Sequence, residues 1–287
     1  MAIAVASLAT GSYGSGNPSY TTTITKPTGL AVGDLMVAFI NGTNGTSGSP
    51  STVPSGFTLG RSQAYGFGTR NNFSTYYKIA ASGDVAASNF TWGNSVTGGG
   101  SIGGTLFRIT GALANIDQST SNDAGNTSSP AIGPITPTYP NSLLLFGVAT
   151  DATSGSVAVG SYAIATSNPT WTEQVDTQTS TFAHAIASAI RPEITDTGNW
   201  TATISGGGTY YVGMQTMSIA AIVDQAISPT FVSAAYEVVA PTIQQGQTAS
   251  PTVLGATLSV VSPAVKKSAT WTNQSENAGS WTNQTKS

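Results

Sequence analysis

The chain has 287 residues, of which 9 are Lys or Arg and 12 are Asp or Glu, for a formal net charge of -3. Charged side chains make up 7% of it, against roughly a quarter of an ordinary globular domain, and the scattered basic residues offer no stripe for neutralising phosphates, so nucleic acid is excluded as a partner. No cysteine is present, which removes disulfides, thiolate nucleophiles and cysteine metal sites together.

A hydrophobic fraction of 39% is enough to build real cores, and the length suggests two domains at roughly 150 residues each. Residues 1–18 read as an N-terminal arm. No basic residue precedes its apolar stretch, and Ser, Thr and Gly interrupt it, so a secretory signal is not expected there. No run approaches about 18 apolar residues, so membrane insertion is not expected either.

Short runs rich in Val, Ile, Thr, Tyr, Phe and Trp follow, separated by Gly, Ser, Asn and Pro clusters, with no helical period. The predicted strands of residues 19–112 are 20–26, 34–41, 56–64, 72–80, 88–93 and 102–110. The polar stretch 113–130 reads as a linker. Residues 131–225 give predicted strands at 131–137, 142–150, 156–164, 170–178, 181–191, 198–204 and 209–223. The apolar run Leu143 to Phe146 predicts a strand covered on both faces, whereas TTTITK at 21–26 alternates loosely, as an edge strand would.

The second of these regions is a diverged copy of the first. DLMVAFI at 34–40 is echoed by SLLLFGVA at 142–149, SNFTWG at 88–93 by GNWTATI at 198–204, and GGGSIGGTLFRITGA at 98–112 by GGGTYYVGMQTMSIAA at 206–221. The expected fold is all-β: two tandem jelly-roll-like antiparallel β-sandwich domains, 19–112 and 131–225, followed by an extended repetitive C-terminal arm, 226–287.

In that arm PTFVSAAYEVVAPTI at 229–243 recurs as PTVLGATLSVVSPAV at 251–265, and WTNQ begins at both Trp271 and Trp281. Repeats this short cannot close a core, so they gain order against neighbouring surfaces or sister chains. Phe231, Tyr236, Val253, Leu258, Trp271 and Trp281 are the residues expected to bind a partner.

The succession KPTGLAVGDLMVAFI at 26–40, VPSGFTLGRS at 53–62, STYYKIAASGDVAASNFTWG at 74–93 and GGTLFRITGALANID at 103–117 resembles a domain common in bacteriophage virion and prophage-encoded proteins. The tail resembles the repetitive Trp- and Asn-rich ends of phage particle proteins. The resemblance implies a particle component in the virion and no catalytic residue. Expected partners are further copies of the chain, with a trimer as the expected order because intertwined trimers are frequent among particle appendages, and other virion proteins of capsid or tail.

Chemistry is sparse. His184, the only histidine, sits in the alternating stretch 180–190 and reads as a strand residue. Asp151, Glu173, Asp176, Glu193 and Asp196 supply carboxylates for a glycosidase pair, yet fall mostly in predicted turns. Asp34 and Asp84 follow glycines as turn residues. The glycine runs 98–100 and 206–208 lack the lysine and helix of a phosphate loop. Asp117, Asn122 and Asp123 read as solvated linker and not as a calcium loop. The expectation is a protein without enzyme activity or cofactor. Trp92, Trp171 and Trp200 are mostly core candidates, but exposed on a sheet face they would stack on a host-surface glycan. Two rivals therefore stand beside the virion reading: a carbohydrate-binding adhesin, and a self-polymerising filament whose arm completes the next subunit's sheet.

Overall fold

A computed structural model describes residues 2–16, 19–43, 50–66, 71–95, 100–152, 157–165, 169–178, 182–206 and 210–222. Residues Met1–Ile227 gather into one compact unit. All six expected partner-binding residues, from Phe231 to Trp281, and the whole arm 226–287 lie outside the described residues.

The fold is all-β, with every ladder antiparallel. Fifteen strands are described: β1 Ala4–Gly16, β2 Ser19–Thr25, β3 Leu35–Thr43, β4 Thr58–Tyr65, β5 Asn71–Ile79, β6 Asn89–Ser95, β7 Gly100–Thr110, β8 Gln118–Gly125, β9 Ala131–Ile132, β10 Ser142–Ala152, β11 Val157–Ile164, β12 Thr172–Gln178, β13 Phe182–Arg191, β14 Trp200–Gly206 and β15 Tyr210–Ile219. One short helix, α1 (Ser82–Ala86), interrupts them. It opens on the Asp84 carboxylate, which accepts the Ala81 N–H at 2.8 Å, a local cap that needs no helical period in the surrounding sequence.

The strands form two five-stranded sheets, ordered β1-β7-β3-β5-β4 and β12-β13-β10-β15-β8, with smaller sheets β2-β6 and β11-β14-β9. Read from the other end, the second large sheet repeats the first strand for strand. The register repeats too, since Leu35 faces Ile109 across β3 and β7 as Leu143 faces Ile219 across β10 and β15.

This correspondence corrects two expectations. Residues 4–16, taken from the sequence as an arm, are β1, and residues 118–125, taken as linker, are β8. Each is an edge strand that pairs on one side only, and such strands need few apolar residues, so Ser, Thr, Gly and Asn concealed them. In the other direction, β9 is shorter than the predicted 131–137, because Pro134 and Pro137 cannot donate to a ladder.

The central strands are covered on both faces. On β3, Met36, Ala38 and Ile40 pack under the β2-β6 sheet with Ile24, Phe90 and Trp92, while Leu35, Val37 and Phe39 point the other way. On β10, Leu144, Phe146 and Val148 meet Trp200, Ile204 and Val159 of the other small sheet, while Leu143 and Leu145 join Leu35, Val37 and Phe39 in a shared core. The two halves thus meet face to face through their large sheets, each backed by a small one.

The duplicated positions are not alike where they meet. Phe39 in the first half corresponds to Gly147 in the second, and a Cβ on Gly147 would stand 2.8 Å from ring atoms of both Phe39 and Phe73. Tyr65 likewise covers Gly213, where a Cβ would approach its ring to 2.6 Å. Aromatic rings of one half fill notches left by glycines of the other, the close interdigitation that a dense core requires.

Candidate functional site

Between the large sheets, toward one end of the shared core, lies a chain of buried polar groups. A bulge in β1 between Gly11 and Gly14 re-aims the strand so that the Tyr13 hydroxyl enters the seam. There it receives Asn41 Nδ2 at 3.0 Å and lies 2.9 Å from His184 Nδ1. On its other side His184 Nε2 lies 2.9 Å from Thr105 Oγ1, so both ring nitrogens have a hydroxyl partner. Tyr65 donates to Asn41 Oδ1 at 2.6 Å, and Asn41 Nδ2 also reaches the Ala183 carbonyl at 3.3 Å.

Burial sets the protonation of these groups. It pushes the His184 imidazole down to about 4 and the Tyr13 hydroxyl upward, opposed in part by the Asn41 hydrogen bond. Tyr65 is raised well above its ordinary value by burial first and then by the nearby Tyr13 and Asp151. Each phenol and the imidazole are neutral, and every one is committed to a neighbour inside the seam. His184 is fully buried, with both ring nitrogens spent, so it faces no substrate.

The other sequence candidates are similarly engaged. Asp34 accepts from Ala31 N and Arg108 Nε, at 2.8 and 2.7 Å, and Lys78 Nζ sits 2.7 Å from Asp84. Asp117 holds Thr138 N and the Ser218 hydroxyl, Asp123 accepts Gly125 N, and Asn122 Nδ2 donates to the Ala131 carbonyl. Among the described residues no group of three or more His, Asp or Glu gathers as a metal site would need. Asp151 accepts Asn71 Nδ2 at 2.6 Å, and burial raises its carboxyl. Asp196 accepts Gly198 N at 2.6 Å, and Glu193 lies 3.5 Å from the buried Arg191. Trp92 and Trp200 are fully buried and unavailable for stacking on a ligand.

Two surface features remain. Glu173 and Asp176 on β12 adjoin Tyr162, whose hydroxyl is raised by burial and then by those two carboxylates. Both carboxyls are themselves raised, chiefly by burial. Trp171, half-buried, packs against Tyr162 with ring centroids 6.4 Å apart.

The second feature is a groove at one lateral margin of the stacked sheets. At the opposite margin β4 lies over β8, with Arg61 Nε donating to Ser121 Oγ at 3.0 Å. On this side β1 and β12 flank an open groove of about 720 Å³, floored by Leu143 and walled by Ile3, Val5, Thr172, Gln174 and Ile190. Register shifts at Val5/Ser7 in β1 and at Glu173/Val175 in β12 fall beside it. A second hollow of about 360 Å³ continues from it, sharing Ile3 and Ile190 and bounded by Pro140, Ala221 and Ile222. Ile190, at 42% exposure, is one of five large apolar side chains exposed among the described residues, and it is the one that lines this groove.

The described residues thus form an all-β protein of stacked antiparallel sheets, with its polar chemistry turned inward and a groove of mixed polar and apolar lining at its margin. No family model, curated protein or solved structure matches the chain. Among the described residues no helix is long and apolar enough to cross a membrane.

Proposed function

We propose that this protein is a non-enzymatic structural component of a bacteriophage particle, a capsid decoration or tail-associated protein that joins its assembly through the C-terminal arm. The observation that carries the reading is the division of labour along the chain. The described residues up to 222 spend their histidine, Tyr13, Tyr65 and most of their carboxylates on internal hydrogen bonds, whereas residues 229–265 repeat a proline-bounded apolar run, with Glu237 its single charge, that cannot close a core alone. The phage-domain resemblance of residues 26–117 and the WTNQ repeats point the same way. The test is to purify particles from lysates of the cell that encodes the chain and to quantify their proteins. The chain should be present in stoichiometric copy number, and its absence from the particles would refute the reading.

A second reading, a carbohydrate-binding adhesin, draws on the half-buried Trp171, which packs against the buried Tyr162 near Glu173 and Asp176, since an aromatic face with adjacent acceptors is what a sugar ring uses. A glycan array probed with the full chain and with Trp171→Ala decides it. Selective retention lost in the variant supports the adhesin, and no retention removes it.

A further inference from the structure

We infer that the groove between β1 and β12 receives the apolar run at 251–265 from a second copy of this chain, an inference that rests on the assembly reading above and names the surface the arm would use. The two copies of the run share more than composition. In the first, Val232, Ala234, Tyr236 and Val238 occupy alternate positions, with Ser233, Ala235 and Glu237 between them. Twenty-two residues on, Leu254, Ala256, Leu258 and Val260 alternate with Gly255, Thr257 and Ser259. In an extended segment the middle of each run, 232–238 and 254–260, would carry one apolar face and one small or polar face, while Phe231, Val239, Val253 and Val261 at its ends fall on the second face.

The groove offers the complement. Its lining is apolar at Ile3, Val5, Leu143 and Ile190, polar without charge at Thr170, Thr172, Gln174 and Ser188, and Glu193 is the one charged residue among it. The run at 251–265 carries no charge and is followed directly by Lys266 and Lys267. In residues 131–222 the sole basic residue, Arg191, stands against Asp151, Glu173, Asp176, Glu193 and Asp196, so the half that forms one wall attracts the lysine pair. The extent of the chain also fits. Ile222 lines the continuation of the groove, and 65 residues follow it (223–287), carrying the run twice while each body presents the groove once. Register shifts in the β1–β7 and β12–β13 ladders bend these two edge strands beside the groove, and a bent edge is a poor template for a regular added strand, so the segment seats by its side chains.

The absence of cysteine makes a direct test available with the full chain. Ile190→Cys is introduced into one isotopically heavy preparation and Leu258→Cys into a light one, and the two are mixed under mild oxidation. The expected result is a disulfide peptide joining Cys at 190 of a heavy chain to Cys at 258 of a light chain, with no such link when Asn283→Cys replaces the arm variant. Adding Glu193→Lys should lower the yield a few-fold, as reversal of a rim charge does. A chain carrying both Ile190→Cys and Leu258→Cys that links only within itself would overturn the inference, as would absence of the 190–258 peptide. Sedimentation of the same unlinked samples separates the two levels: an oligomer without the link refutes the groove and leaves assembly standing, whereas a monomer refutes both.

Discussion

The Tyr13 hydroxyl on β1 and His184 Nδ1 on β13 lie 2.9 Å apart, a contact between residues 171 positions apart that links the two halves of the molecule. It fixes the imidazole as a neutral structural group and gives acid a defined point of attack.

Burial lowers His184 from 6.5 to about 4. As pH falls through that window the unfolded chain takes up a proton that the folded chain refuses, so stability declines, by about 3 kcal/mol at pH 4. Asp151, Glu173 and Asp176 have raised carboxyls and act in the opposite sense, stabilising the fold as pH falls from their folded values toward their unfolded ones. Comparison with His184→Gln cancels those terms. Denaturant melts at pH 7 and pH 4 should show the parent losing about 3 kcal/mol more than the variant over the interval. Equal losses would mean that the ring is not buried neutral.

Gly147 is the notch for Phe39 and Phe73, and any Cβ there overlaps both rings. Gly147→Ala should destabilise the protein by about 1–3 kcal/mol through overpacking. Phe39→Leu in the same chain should recover part of that loss, because the smaller side chain vacates the overlap. Thermal denaturation of the single and double variants measures it, and additive losses would contradict the packing described.

Asp34 holds both the Ala31 N–H and Arg108 Nε. Asp34→Ala strands two donors and should cost about 1–3 kcal/mol. Asp34→Asn retains an acceptor and should cost less. The order of the two variants in a urea titration tests whether this GD pair is turn chemistry joined to an ion pair, and the reverse order would refute it.

Much of the sheet architecture was legible in the sequence. Leu143 to Phe146 did announce a strand covered on both faces, and all four lie at 2% exposure or less; the thirteen predicted strands each find a counterpart in β2 to β7 or β9 to β15. The misses have a common cause. β1 and β8 are polar edge strands whose pairing is decided by the central strand beside them, so their own residues carry little signal. The Tyr13, Asn41, Tyr65 and His184 network was invisible for a related reason, since its bonds join positions 24 to 171 apart and no local spacing records them. One signal was available: where two duplicated strands must face each other, a Phe39 in one copy against a Gly147 in the other is the mark of a ring entering a notch.

Sedimentation velocity of the full chain beside a chain lacking residues 226–287 tests the central claim most directly. If the repeated arm is the assembly element, the full chain sediments as an oligomer and the shortened one as a folded monomer. An oligomer of the same size from both, or a monomeric full chain across the accessible concentration range, would contradict it.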